Sequence, residues 1–171
     1  MDKLAPRVAQ MADKLFADDL LKLFTGIYQR LSFTTLNSAG LAIKAGGGVL
    51  VKTGSTATTL NVGGVLASIA AATDMPVLAG TVVHGTFNVF VFSQDVAGTR
   101  YSDMGTAAAT LAGVKLPNIP DNRVIIGLIV VNPTGTGNFV GNNSALDDVT
   151  IAPNTVYNSP NGAFSLNALL Q

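Results

Sequence analysis

Two periodicities divide the chain. From residue 3 to residue 31 apolar side chains recur at helical intervals. Leu4, Val8, Met11 and Leu15 step by four, three and four, and Leu20, Phe24, Ile27 and Leu31 repeat that spacing further on. Such steps return to one face of a helix with about 3.6 residues per turn. Lys3, Arg7, Asp13 and Lys14 lie largely off the first stripe. Pro6 is compatible with a helix start, and Gly26 is a mild weakness inside it. Asp18 and Asp19 can cap a second run, so the segment reads as one helix or as two. With Phe16 and Leu23 added, it is too apolar to stand free in water. Either it packs on the domain that follows, or it docks on or intertwines with another subunit.

From Ser32 onward the pattern changes to period two. Expected strands are Leu41–Ala45, Val49–Thr53, Thr58–Val62, Val77–Val83, Thr86–Ser93, Arg100–Asp103, Val124–Val131 and Thr150–Tyr157. In "TFNVFVF" Phe87, Val89 and Val91 share one face, while Asn88, Phe90 and Phe92 share the other. Apolar groups on both faces predict cover on both. The run "VIIGLIVV", Val124 to Val131, predicts the same, with a second sheet on one side and the helix or a neighbouring subunit on the other. As a strand it spans about 26 Å; as a helix it would rise about 12 Å against roughly 30 Å of bilayer core. A membrane span is excluded there. Turn clusters separate the strands: Gly46–Gly48, Gly63-Gly64, "DVAGTR" at hairpin distance between two strands, and "NPTGTGN". The run "GTAAATLAGV" at 105–114 is open to a short helix or a loop. Many short strands at such spacing predict a mainly β chain, an antiparallel β-sandwich or jelly-roll-like domain with an N-terminal amphipathic helical segment. The expected division is a helical anchoring or oligomerisation segment at 1–31 and a β domain at 32–171.

Composition narrows the functions available. At 171 residues the chain can bury a core without staples, and it contains no cysteine, which removes disulfides, thiol catalysis and cysteine-based zinc sites. Ten Asp and no Glu balance ten Lys and Arg. A neutral chain exerts no broad pull on nucleic acid or acidic membranes. Nine of the twenty charged residues fall in positions 1–30. The body is therefore either covered by partner subunits or surfaced with Thr, Asn and Ser. The first residues are too interrupted by charge to form a signal peptide.

Candidate chemistry was tested against spacing. Gly135, Gly137 and Gly141 lack the Lys of a phosphate-binding loop and the interval of a dinucleotide fingerprint, which leaves a structural turn. "KTG" at Lys52–Gly54 matches a penicillin-binding tripeptide, but no Ser-x-x-Lys accompanies it. His84 is the only histidine, without partners for base or metal duty, and reads as a satisfied strand or interface imidazole. Asp147 and Asp148 with Asn142, Asn143 and Ser144 carry oxygens for calcium, yet at no EF-hand spacing. The six Asp of the body single out no glycosidase pair. We therefore expect no catalytic residues, no cofactor and no metal, and no nucleic-acid or membrane partner.

The segments "IIGLIVVNPTGTGNFVGNNSALDD" (125–148), "TIAPNTVYNSPNGAF" (150–164) and "VFSQDVAGTRYSDMGTAA" (91–108) resemble structural proteins of tailed-bacteriophage virions. The resemblance covers residues 80–165 and implies a virion component made in the bacterial host cytoplasm, with the capsid surface favoured. A capsid decoration, or cement, protein or a head fibre is the expected role, as a homo-oligomer with a trimer favoured, against the major capsid protein or another virion protein. The helix then supplies the contact, through Leu4, Val8, Met11, Leu15 and Leu20. The alternative is a tail or baseplate component or a carbohydrate-binding adhesin, for which Tyr101 and Tyr157 are the few available aromatic platforms. A hydrolase such as a depolymerase is weakest, for want of a nucleophile or acid pair.

Overall fold

The structure, a computed structural model, describes residues 4–161; within the helix, side chains are described at Lys14, at 16–28 and from Leu31 onward. The first element is a single uninterrupted helix, α1 (Leu4–Ser32), so Asp18 and Asp19 lie inside it rather than starting a second one. Eleven strands follow: β1 (Phe33–Thr35), β2 (Ala42–Ile43), β3 (Val51–Lys52), β4 (Thr58–Val62), β5 (Val65–Ile69), β6 (Thr81–Val82), β7 (Asn88–Asp95), β8 (Arg100–Met104), β9 (Arg123–Val131), β10 (Phe139–Val140) and β11 (Val156–Asn158). Every strand pairing is antiparallel. The chain is mainly β with one N-terminal helix, and its body is β-sandwich-like, as the periodicity predicts.

The largest sheet runs β11-β9-β7-β8, and a three-stranded sheet runs β1-β4-β5. Between them lies the main core. Phe90, Phe92, Val124, Ile126, Ile129 and Val131 come from the first sheet and Leu60, Val62 and Ile69 from the second, joined by Leu78, Val82, Phe139 and Leu146. Phe90 and Phe139 meet edge to face with ring centroids 6.3 Å apart.

One detail of β9 explains its glycine. The β7–β9 register slips between Phe92 and Ser93, which face Gly127 and Ile125, so Ile126 is the extra residue of a β-bulge. Before the slip Val124 and Ile126 point into the main core, and after it Ile129 and Val131 do. Alternation is thus broken once, and both Ile126 and Gly127 aim inward. A Cβ at Gly127 would lie 2.6 Å from Leu41 Cδ1 and 2.7 Å from the Asn158 carbonyl of β11. Only glycine fits there.

The opposite face of the large sheet is covered too, by neither α1 nor a second subunit. Residues 105–119 fold back as a strap, and its Ala108, Leu111, Val114, Leu116 and Ile119 pack with Phe87 on Val89, Val91, Leu128 and Val130. Backbone pairing of Thr106 with Lys115 and of Phe87 with Ala108 fixes it. This overturns the expectation that the helix or a neighbour would cover β9, and it makes the ambiguous 105–114 run a strap with one short 3-10 turn at Leu111–Gly113. Of the expected Thr150–Tyr157 strand only the end pairs, because Asp148 Oδ1 accepts from both the amide and the hydroxyl of Thr150 and curls the chain into turns.

Candidate assembly surface

The helix does not lie on its own domain. It meets the body at β1 and β4, through its last turn. There Asn61 Nδ2 donates to the Leu31 carbonyl at 2.8 Å, the Gly64 amide donates to the Ser32 carbonyl, and the Tyr28 hydroxyl sits over Gly64. Among the described residues of α1 the large apolar side chains still face solvent: Phe16, Leu20, Leu21, Leu23, Phe24, Ile27, Tyr28 and Leu31 are between 38% (Leu20) and 71% (Phe16) exposed. Of the two sequence readings, packing on the β domain is not what the described side chains of α1 adopt. Among the five residues picked as contacts, only Leu20 has a described side chain; those of Leu4, Val8, Met11 and Leu15 lie outside the described residues. The other seven exposed side chains complete the surface.

The apolar exposure continues onto the body beside the helix end. Val65 and Leu66 open β5 and are each about 70% exposed, and Val96 lies against Gly63 in the adjoining turn. β5 is also the outer strand of its sheet. Sequence reading missed these residues because "VLASI" neither alternates in polarity nor carries aromatic groups. The hint available was Gly63-Gly64, whose positive φ angles of 66° and 85° make the tight link between β4 and β5.

This pole is stiffened by a polar network at the β7–β8 turn end of the outer sheet face, beyond the reach of the strap. Asp95 closes the β7–β8 turn: its Oδ1 accepts from the amides of Ala97 and Thr99, and its Oδ2 accepts from the Tyr101 hydroxyl at 2.8 Å. The Tyr101 hydroxyl, then the two amides, hold the Asp95 carboxyl below the ordinary range, and the same hydrogen bond raises the tyrosine. The Arg123 guanidinium stacks 3.5 Å from the Tyr101 ring centroid and pairs with Asp103 at 3.3 Å. One face of Tyr101 is thus taken. Tyr157 has its hydroxyl buried with no hydrogen-bond partner among the described residues. Burial, then the Asp147 charge, push that phenol up to about 12. Neither tyrosine is a free platform for a sugar.

The remaining candidates have structural duties. Gly135 and Thr136 spend their amides on the Ile151 and Thr150 carbonyls, and a Cβ at Gly135 would collide with the Thr150 backbone, so the glycine loop is a packed turn. Thr53 of "KTG" is buried and bridges the Ala70 carbonyl and the Thr73 amide. His84 lies in an exposed turn after β6 rather than in a strand, with its amide held by Asn138 Oδ1. Asp147 and Asp148 diverge: the first accepts from the Gly47 amide, the second from Thr150. Among the described residues no three His, Cys or acidic side chains gather where they could hold a metal, and no helix is long and apolar enough to cross a membrane. No protein-family model, curated protein or solved structure matches the chain.

Proposed function

We propose that this chain is a non-catalytic structural protein of a tailed-bacteriophage virion, a capsid decoration or head-fibre-like subunit that self-associates and reinforces the shell. The observation that carries the reading is the exposed apolar helix mounted on a closed β body. Burying such a surface contributes about 25 cal/mol per Å² before the costs of association, so partners are the natural destination of α1. The resemblance of residues 80–165 to virion structural proteins supplies the setting, and a low-charge body surface suits close packing among subunits. Against an adhesin stand the two tyrosines, one stacked by Arg123 and one with its hydroxyl buried.

The test is location and binding. Purified full-length chain should co-sediment with bare capsids of its phage, and labelled protein should map to the capsid surface of imaged virions. A chain that stays in the supernatant and is missing from the particle would sink the proposal. Localisation to the tail would transfer it to the baseplate alternative.

A further inference from the structure

We infer that residues Phe16–Leu31 form a parallel bundle of at least three copies of this chain, in a register the sequence specifies. The inference deepens the proposed function by naming the occupant of the exposed helix face as the same helix of sister chains. Placing Leu20 at position d of a heptad puts Ala17, Phe24 and Leu31 at a, and Leu20 and Ile27 at d. Leu21 and Tyr28 then fall at e, and Phe16, Leu23 and Arg30 at g. The outer positions b, c and f collect Asp18, Asp19, Lys22, Thr25, Gly26 and Gln29. All eight large apolar side chains of α1 that are exposed among the described residues thus sit at a, d, e or g, and between positions 16 and 31 every residue at b, c and f is polar or glycine.

A two-stranded coil buries a and d and leaves e and g to charged residues. Here e and g are apolar apart from Arg30, so each helix needs a neighbour on both flanks. That requires three or more helices. The area is adequate: eight side chains, each exposing on the order of 100 Å², supply about the 800 Å² that one partner brings to a stable interface.

Direction follows from the body. The exposed Val65, Leu66 and Val96 lie beside the Gly63-Gly64 turn against which the C-terminal end of the helix sits. Only a parallel arrangement brings these residues of several copies together at the same time as the helices. Fewer than three heptads make a weak coil alone, so the rim contributes to holding it. In the same frame positions 4, 8, 11 and 15 carry the sequence labels b and f, so the apolar stripe of the first half does not continue the a/d seam. The N-terminal half of α1 is thereby left to face a different partner, which divides self-association from anchoring along one helix.

The full chain, without capsids, is examined by light scattering across a dilution series. The expected mass is that of three or more chains, falling to one chain in the double variant F24D/I27D and unchanged in T25D/Q29D, whose sites lie at b and f. Circular dichroism should show the β body intact in both, since all four residues are solvent-exposed or lie on the exposed helix. The chain has no cysteine, so I27C reports direction: oxidation should link copies through the same residue when helices run parallel. A monomer or dimer in the parent, an equal response to both double variants, or no disulfide in I27C overturns the inference. A capsid-binding failure by a chain that does form the bundle would instead overturn the virion reading.

Discussion

Gly127→Ala adds one methyl group at the most crowded backbone position of the large sheet. The added Cβ meets two obstacles of different kinds. Leu41 Cδ1, at 2.6 Å, is the end of a side chain that can rotate, though Leu41 is buried in the main core. The Asn158 carbonyl, at 2.7 Å, belongs to β11 and cannot move without drawing that strand away from β9. Overpacking of this kind costs typically 1–3 kcal/mol, and the rigid partner argues for about 2 kcal/mol here. A domain of this size loses roughly 2–4 °C of Tm per kcal/mol, so the expected fall is about 4–8 °C. Thermal unfolding followed by circular dichroism measures it, with Gly137→Ala as control, because no atom lies within 4 Å of a Cβ built there. If β11 peels away to relieve the clash, amide exchange at Val156–Asn158 will quicken while β7 stays protected. A variant melting within about 1 °C of the parent, with unchanged exchange, would refute the bulge geometry and the inward aim of Gly127.

Phe90→Ala should cost about 3–5 kcal/mol in urea unfolding, since the ring is fully buried against Phe139 and leaves a cavity. Asp95 has its carboxyl depressed, so its stabilisation is present above the ordinary carboxylate pKa and is lost as pH falls through the lower folded value. An acid-denaturation curve of Asp95→Ala should accordingly be shallower than that of the parent. Tyr157 is raised to about 12, which keeps it neutral in the fold while the unfolded phenol ionises near 10; stability should fall as pH rises through that window. Tyr157→Phe removes a buried hydroxyl without a partner, so it should be neutral or stabilising near neutral pH and should flatten the alkaline limb of the stability profile. Gly26→Ala, at an outward position of α1, should raise helix content by removing a penalty of about 1 kcal/mol, without changing the molar mass of the assembly.

Legibility followed burial. Thr58–Val62 was read to the residue because it alternates strictly, buried at Thr58, Leu60 and Val62. β7 and β9, buried on both faces, were visible as continuous apolar runs. What failed was what tertiary contacts decide. β1 is a three-residue strand directly after a helix, β10 is two residues, and β5 is an edge strand that turns Val65 and Leu66 outward while Ile69 enters the core, against the pattern by which strands are recognised. The strap could not be foreseen, since its alanines and threonines carry no period and only the sheet beneath makes it a cover. The helix is legible as amphipathic, and of the five expected contact residues Leu20 is among the exposed side chains described, while Leu4, Val8, Met11 and Leu15 lie outside them.

The strap has a consequence for growth. By covering the apolar part of the outer face of the large sheet with its own chain, the protein removes the broad flat surface on which sandwich domains otherwise stack. Among the described residues the densest group of exposed apolar side chains, Phe16–Leu31 with Val65, Leu66 and Val96, is at one end. A self-association surface confined to one pole is satisfied once a ring of copies has closed, whereas an endless fibre needs a second, complementary patch elsewhere on the same molecule. Aggregation on overexpression should for that reason stop at small clusters of defined number. Introducing a charge into the strap at Leu111 or Val114 would uncover a new flank and turn a self-limiting assembler into an open-ended one.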